Sequence, residues 1–479
     1  MKERDTGFNA PMTRRGALQR IGGGFGLVGL SAMTGESWLQ AATSSPAPGP
    51  LSVKAPHYPA KSKNVIFLFL NGGVSHLDTF DPKPMLEKYH GKPLPGGNPA
   101  TSNTTGNLMR SPFKFRKYGQ SGIEVSEIFP LVGQCADDLC VIRSMYTETP
   151  THEPSMLMLN CGTLQMGRPS LGSWLTYGLG TENQSLPGYV VLCPGPPSIG
   201  SPLWSSAFLP AVYQGTLIRD NASDPAEMIE FIASEQHTRL SDQRQQIQTL
   251  EELNRMHLRG RENNPELEAR IHAMEVAFRM QTEAPEAFDV SKETKATREL
   301  YGQGDFANGC LMARRLVERG VRIVQVYFCD TKGMNWDSHA DIMEHKKLAF
   351  EADRPIAALI TDLKSRGLLN DTLVVVGTEF GRTPVLENRA ALAVNNGRDH
   401  NHLAFTTLLA GGGVKGGFIY GATDDFGFRA TENRVHVHDL HATILHLMGL
   451  EHTRLTYRYS GRDFRLTDVQ GNVVQNIIS

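Results

Sequence analysis

The 479-residue sequence has no run of about 18 consecutive apolar residues, the length that a helix needs to span a bilayer. It also has no run of basic residues that resembles a nucleic-acid footprint. Its 48 Lys and Arg and 50 Asp and Glu give a formal charge of −2. A nucleic-acid partner is therefore not expected. Cysteine is scarce, with six residues and no Cys-x-x-Cys spacing, which excludes a disulfide scaffold in a chain this long. Cys135 and Cys140 could form one bridge, but buried thiols are favoured.

The N-terminal residues differ in character from the rest of the chain. Thr13-Arg14-Arg15-Gly16-Ala17-Leu18 resembles a twin-arginine export signal, with Ala17 where that signal usually has Phe. A Gly-rich apolar stretch follows at residues 21–33, and small residues suited to cleavage follow at 41–50. A disordered tail is the alternative. We predict that residues 1–47 are a signal peptide and linker, and that the mature protein is periplasmic or secreted.

The remainder, residues 48–479, is predicted to be a single α/β domain. Apolar residues make up 40% of the chain, enough to bury a substantial core. Runs of strand length alternate with helical segments, which predicts a central mixed, mostly parallel sheet with helices on both faces. The predicted strands are residues 64–70, 139–144, 189–193, 321–328, 373–377 and 404–410. Helical periodicity is clearest from residue 341 to Gly367, with a kink at Pro355, and from 437 to 448.

Two stretches depart from this pattern. Residues 220–304 are rich in Glu, Gln and Arg with scattered apolar residues, which predicts a helical excursion on the surface of the sheet. Residues 91–111 are rich in Gly, Pro, Asn and Thr, which predicts a long loop.

Polar residues cluster where the predicted strands end. Any one of them has an ordinary explanation, because a single carboxylate after a strand is usually a turn former or helix cap. Several of them, however, are expected at the same edge of one sheet, namely Asp337, His339, Glu379, His400 and His402. Zinc, manganese and iron take such mixed imidazole and carboxylate ligands. The sequence therefore predicts a metal site at this edge.

The order of these motifs resembles the alkaline phosphatase superfamily, and in particular its sulfatase-like branch known as domain-of-unknown-function family 1501. The resemblance covers about residues 63–450. It is carried by Trp336-Asp337-Ser338-His339, Gly377-Thr378-Glu379-Phe380-Gly381-Arg382-Thr383-Pro384, Gly397-Arg398-Asp399-His400 and Gly411-Gly412-Gly413-Val414-Lys415-Gly416-Gly417. It implies an alkaline-phosphatase-like fold.

The resemblance also implies a set of metal ligands. Asp337 and His339 match the Asp/His pair of one metal, and His400 matches the late histidine that completes it. Glu379 keeps a carboxylate at a ligand position, whereas the next residue, Phe380, replaces a ligand imidazole. Asn71 stands where a metal-binding Asp ends the first strand. Since Asn71 is neutral and Phe380 cannot bind a metal, one divalent ion is expected rather than two. Zinc, manganese and calcium are the candidate ions.

His152 occupies the position of the sulfatase nucleophile, where Ser, Thr or Cys is usual. Three roles are open to it: nucleophile, metal ligand, or general base for a metal-bound water, and the last two are favoured. Arg382 and Arg398 are expected to clamp an anionic group, because guanidinium pairs with phosphate or sulfate through two hydrogen bonds.

Two functions follow from these expectations. The first is metal-dependent hydrolysis of phosphate or sulfate esters, including those of sulfated or phosphorylated glycans. The second is non-catalytic binding of an anion or glycan on a scaffold that has lost its chemistry, as Asn71, His152 and Phe380 suggest. Fold alone does not decide between them. His438, His441 and His446, near the C-terminus, are expected to serve packing and hydrogen bonding.

Overall fold

A computed structural model describes residues 49–97, 105–195, 197–219, 284–329, 335–388 and 396–479, with isolated positions between 228 and 280. The predicted export signal lies outside these residues, as do most of the predicted helical excursion and part of the predicted loop at 91–111. Contacts within residues 49–479 hold them together as one compact unit. No helix among the described residues is long and apolar enough to cross a membrane.

The strands are β1 (Asn64–Phe69), β2 (Thr105–Leu108), β3 (Phe115–Tyr118), β4 (Ile123–Ser126), β5 (Leu139–Tyr146), β6 (Tyr189–Leu192), β7 (Thr216–Ile218), β8 (Ile323–Tyr327), β9 (Thr372–Gly377), β10 (Gly381–Glu387), β11 (Arg398–Asn401), β12 (Phe405–Ala410), β13 (Phe418–Tyr420), β14 (Ala422–Thr423), β15 (Ala430–Glu432), β16 (Val435–His436), β17 (Tyr457–Tyr459) and β18 (Arg462–Phe464). The α-helices are α1 (His76–Thr79), α2 (Pro84–Lys88), α3 (Pro130–Gln134), α4 (His152–Cys161), α5 (Leu171–Leu179), α6 (Lys295–Tyr301), α7 (Asp305–Glu318), α8 (Glu344–Ser365) and α9 (Val437–Leu447).

The central sheet runs in the order β13-β5-β12-β9-β1-β8-β6-β7, with β16 also pairing with β5. The pairs β9-β1, β1-β8, β8-β6 and β6-β7 are parallel, whereas β12 is antiparallel to both of its neighbours. Each of the six predicted strands coincides with a strand of this central sheet. The predicted α/β class and mixed, mostly parallel sheet are confirmed.

Burial explains why β1 has no alternating pattern. All six of its residues, Asn-Val-Ile-Phe-Leu-Phe, are buried, so both faces of the strand are covered. α7 packs against β1 and β8, and α8 packs against α7. α8 contains Pro355 and is followed by Gly367 at φ +72°, as the sequence pattern predicts.

A second sheet of three antiparallel strands, in the order β11-β10-β2, lies beyond the end of β9. The chain leaves the central sheet at Gly377 and enters β10 four residues later, so Glu379 and Phe380 lie in the connection between the two sheets. β10 and β11 place Arg382 opposite His400. The prediction of a loop throughout 91–111 is partly wrong, because β2 falls within it and pairs with β10.

Candidate metal centre

One carboxylate oxygen, Oδ1 of Asp337, is the meeting point of four side chains. Nε2 of His339 lies 2.9 Å from it, Nε2 of His400 3.0 Å and Nε2 of His152 3.3 Å. Nη2 of Arg382 donates to the same oxygen at 2.7 Å. One ligand atom from each of the three histidines and from Asp337 fits within a span of 4.8 Å, close enough for one ion. The side chains of Asp337 and His152 are 29% and 22% exposed, so solvent reaches the cluster.

The loop that carries Asp337 and His339 is fixed by backbone contacts. The N–H of Trp336 donates to the carbonyl of Asn71, just after β1, at 2.8 Å. The Trp336 ring is fully buried and stacks on Phe129. Gly397 lies against this loop so closely that a Cβ there would stand 1.9 Å from the carbonyl oxygen of His339. The site thus depends on a residue without a side chain at position 397.

The other two histidines come from different elements. His152 is the first residue of α4, and His400 lies in β11 opposite Arg382. The Phe380 ring is fully buried and contacts both imidazoles, with ring centroids 4.8 Å from His152 and 4.5 Å from His400. This packing restricts the rotation of both imidazole rings.

Each imidazole has its second nitrogen bound to an acceptor. Nδ1 of His152 lies 2.7 Å from Oε1 of Glu379, and Nδ1 of His400 lies 2.7 Å from the carbonyl oxygen of Pro150. Nδ1 of His339 is hydrogen-bonded to Oε2 of Glu387. Carbonyl and ionised carboxylate oxygens only accept hydrogen bonds, so all three Nδ1 atoms carry protons. In a neutral imidazole, Nε2 then presents a lone pair, and all three lone pairs are directed at Asp337.

Lone pairs facing a carboxylate oxygen repel it unless protons or a cation intervene. Burial lowers the pKa of His152, but its contacts with the negatively charged Asp337 and Glu379 raise it to about 9. The pKa of His339 is also raised, because its contacts with Asp337 and Glu387 outweigh burial. Burial, with the charges of Arg382 and His152, instead lowers the pKa of His400.

Protons alone therefore do not satisfy the cluster at neutral pH. His400 is neutral there, yet its Nε2 lies 3.0 Å from Asp337 Oδ1. Nε2 of His152 is buried, and its contact with Asp337 Oδ1 at 3.3 Å does not have the geometry of a hydrogen bond. Donor atoms arranged in this way, each held by a second hydrogen bond, fit a divalent ion.

Glu379 was expected to bind the metal directly, but it contacts Nδ1 of His152, the ring nitrogen that does not face Asp337. It is fully buried, and both of its carboxylate oxygens accept from the N–H of Gly72, at 2.9 and 3.1 Å. Thr378 Oγ1 donates to the same carboxylate at 3.2 Å. Asn71, also expected as a ligand, contributes its backbone carbonyl to the fold, and its side-chain amide makes no hydrogen bond to any described residue.

The two arginines do not fit the role of anion clamps. Arg398 is fully buried and forms an ion pair with buried Asp78 at 2.8 Å. Arg382 is also fully buried, and its donors are used by Asp337 and by backbone carbonyls, including that of Gly73 at 2.8 Å. Neither guanidinium faces solvent, so the structure corrects this expectation. Both arginines hold the site together from within.

Sequence reasoning missed two groups that orient histidines of the cluster, Glu387 and the carbonyl of Pro150. Glu387 ends β10, and only the pairing of β10 with β11 brings it near the cluster. His402, expected at the same edge, is not part of the four-residue group. In the C-terminal region, Nε2 of His438 and Nε2 of His441 are hydrogen-bonded to carbonyl oxygens at the end of α4.

A family model described as "Protein of unknown function (DUF1501)" matches residues 62–478. No curated protein matches the chain in a sequence search. Among solved structures, the chain is similar to the lipoteichoic acid synthase LtaP from Listeria monocytogenes, with 10% identity over 87% of this chain and 78% of that one, at a TM-score of 0.35. It is also similar to the PsFucS1 sulfatase from Pseudoalteromonas sp., with 13% identity over 81% and 68% of the two chains, at a TM-score of 0.32. A protein in the alkaline phosphatase superfamily from Vibrio parahaemolyticus gives 10% identity over 86% and 73%, at 0.32. Likenesses at this level carry no argument about activity.

Proposed function

Because the chain belongs to the DUF1501 family of proteins of unknown function, we propose its function from its own site: it binds one divalent transition metal and hydrolyses phosphate or sulfate esters. The ligands are His152, Asp337, His339 and His400. The observation that supports this most strongly is the convergence of three imidazole Nε2 atoms on one oxygen of Asp337, with each Nδ1 already bound to an acceptor.

The ligand set favours some ions over others. Three nitrogens and one carboxylate suit zinc, manganese or iron, whereas calcium prefers oxygen ligands throughout, so calcium is dropped from the candidates. Zinc with four protein ligands usually forms a closed, structural site, and catalysis needs an open position. An ion that takes five or six ligands, such as manganese or iron, therefore fits hydrolysis better than zinc does.

A metal bound here would activate a water molecule and act as a Lewis acid towards an oxygen of the ester. The chain's own residues prepare the site for it. Glu379 and the Pro150 carbonyl hold the protons of His152 and His400 on Nδ1, which keeps both Nε2 lone pairs available. Arg382 balances the charge of Asp337 from the buried side. As a ligand, His152 is neither nucleophile nor general base, and of the open routes only direct attack by water remains.

The second candidate function, non-catalytic binding of an anion or glycan, has one observation in its favour. Arg382 and Arg398 are buried and paired, and no other Lys or Arg forms an ion pair with the four ligands within the described part of the chain. A hydrolase of anionic esters usually holds its substrate with such cations. Under this alternative the metal is structural.

Export remains part of the proposal. Residues 1–47 would act as a twin-arginine signal peptide that carries the folded protein, with its metal already bound, to the periplasm or beyond. The substrate would be a small anionic ester or a sulfated or phosphorylated glycan met there.

The test measures metal content and activity in the same samples. The purified full-length protein is analysed for zinc, manganese and iron, reloaded with each, and assayed on an aryl phosphate and an aryl sulfate. We expect one metal per chain, and we expect the metal and any activity to be lost in His339→Ala. His90→Ala, at an exposed histidine, is the matched control and should change neither. A chain without stoichiometric metal contradicts the proposal, whereas a loaded chain that hydrolyses neither ester supports the binding function instead.

A further inference from the structure

Two cysteine thiols meet at the same edge of the central sheet as the metal centre. Cys193 directly follows β6, and Cys329 follows β8 by two residues. These strands are parallel neighbours, with Leu192 opposite Val326. The two Sγ atoms lie 3.3 Å apart, closer than the sum of the van der Waals radii of two sulfur atoms. Register and side-chain direction thus bring together two thiols that are 136 residues apart in the sequence.

We propose that Cys193 and Cys329 close to a disulfide when the folded protein meets an oxidising environment. In this register Cys193 is level with Tyr327, so Cys329 lies two residues further along, and the two side chains span that offset to bring their Sγ atoms within 3.3 Å. The sulfur atoms must approach by a little more than 1 Å to reach the bond length of about 2.05 Å. Rotation of two short side chains supplies a movement of that size. This inference does not depend on the proposed hydrolase activity.

The chemistry is thiol–disulfide exchange with a disulfide oxidant, such as oxidised glutathione. Cys329 is half-buried and is the accessible partner, whereas Cys193 is 2% exposed. The Cys329 thiolate attacks one sulfur of the oxidant and releases one reduced thiol. Cys193 then loses its proton and displaces the second reduced thiol, which leaves the protein disulfide. Two protein thiols are oxidised and one oxidant disulfide is reduced.

The other four cysteines do not compete for this bond. Cys135, Cys140, Cys161 and Cys310 are buried. Burial raises the pKa of both Cys140 and Cys161 to about 12, which keeps them as unreactive thiols. Cys161 donates to the carbonyls of Pro202 and Leu203. The site is therefore specific to one pair.

The position of the pair gives the disulfide a structural consequence. The N–H of Phe328 donates to the carbonyl of Phe69 at the end of β1, and the N–H of Trp336 donates to the carbonyl of Asn71. Cys329 thus begins the connection that ends at Asp337. A bond to Cys193 would fasten the start of this connection to β6.

The experiment counts thiols in the full-length protein. The folded chain is equilibrated with reduced or with oxidised glutathione, then denatured and alkylated. Mass spectrometry of the intact chain then gives the number of alkylated thiols. We expect the six thiols of the reduced chain to fall to four after oxidation, and a peptide map should show a Cys193–Cys329 cross-link. After the same oxidation, Cys193→Ser and Cys329→Ser should each keep all five of their thiols. Cys140→Ser, the matched control, should fall from five to three.

Two results would overturn the proposal. One is a chain that keeps six thiols across the full range of glutathione ratios. The other is a cross-link that joins Cys193 or Cys329 to Cys161, or that still forms in Cys193→Ser.

Discussion

Replacing Glu379 by Gln separates a supporting role from a ligand role at the metal centre. The change keeps the shape of the side chain and removes its charge. One oxygen remains to accept from Nδ1 of His152, so the imidazole keeps its orientation. The new amide group, however, faces the N–H of Gly72, which now lies 3.1 Å from a carboxylate oxygen. Two N–H donors, the new amide and the backbone of Gly72, then face each other at one of the four hydrogen bonds that hold the Glu379 carboxylate.

The size of the effect follows from this geometry. If Glu379 only orients His152, losing its charge should weaken metal binding about 10–100-fold, which is about 1.4–2.7 kcal/mol. A directly bound carboxylate would cost far more, as Asp337→Asn should, because that change removes the shared centre of the cluster and also leaves buried Arg382 without its carboxylate partner. Comparing the metal affinities of Glu379→Gln and Asp337→Asn therefore shows whether Glu379 orients His152 or binds the metal itself.

The assay is a competition titration of the purified protein against a chromophoric chelator at fixed pH, with zinc or manganese. Glu153→Gln is the matched control, because Glu153 is the exposed neighbour of His152 in the first turn of α4, and it should bind as the wild type does. Loss of binding in Glu379→Gln as complete as in Asp337→Asn would return Glu379 to the ligand set. An unchanged affinity would show that the hydrogen bond to His152 does not support the metal.

Three further predictions follow from the same contacts. Metal affinity should rise by about tenfold or more per pH unit from about pH 7 to 9, since the pKa of His152 is about 9 without metal, that of His339 is also raised, and binding must release their protons; titrations at several pH values measure the slope. Gly73→Ala should lower the apparent stability by about 1–3 kcal/mol, because Gly73 has φ +79° and a Cβ would lie 2.6 Å from the Phe380 ring; denaturant unfolding measures it. Asp78→Ala should cost about 3–5 kcal/mol because it leaves the fully buried guanidinium of Arg398 unpaired; the same unfolding experiment applies.

Each of these has a result that contradicts it. An affinity that does not change with pH would mean that His152 is already neutral, or that it does not bind the metal. A Gly73→Ala variant as stable as the wild type would show that the close approach of Phe380 is easily relieved. For the buried pair, Asp463→Ala is the control, because Asp463 and its partner Arg458 are 55% and 68% exposed and such pairs contribute little. Equal losses in Asp78→Ala and Asp463→Ala would refute the argument from burial.

The sheet could be predicted from the sequence because its strands are hydrophobic runs with sharp ends. β1 has six buried residues and ends at Phe69, two residues before Asn71 and Gly72, so its length and place follow from composition alone. β2 could not be found in this way. Its residues, Thr-Gly-Asn-Leu, have a weak strand preference, and the strand forms only because β10 offers a partner edge.

The sequence predicted several of the side chains that the structure brings together, but not the groups that hold them in place. Asp337, His339 and His400 were predicted as metal ligands, and the structure brings them together with His152. Their roles as ligands stay predictions until the metal is measured. The supporting groups depend on distances that a sequence does not contain: Glu387 reaches His339 only through the pairing of two strands.

The arginines show the opposite error, in which chemistry was predicted from residue type alone. A guanidinium near a metal site suggests an anion clamp, but burial decides whether it is available. Arg382 reaches the carbonyls of Gly72 and Gly73 as well as Asp337, so its donors are used within the protein. A buried cation of this kind stabilises the charge on Asp337 and is not exposed to a substrate.

Phe380 gives a packing reason for one metal rather than two. It stands where the resemblance places a ligand imidazole, and its ring is fully buried against His152 and His400. A phenyl ring offers no lone pair, and it packs directly against the two imidazole rings. Gly73 lies so close to the ring that even a methyl group would collide with it, so the ring cannot move towards β1 to make room. For the proposed metal centre, one ion is therefore expected rather than two, because carbon atoms stand where the resemblance places a ligand nitrogen.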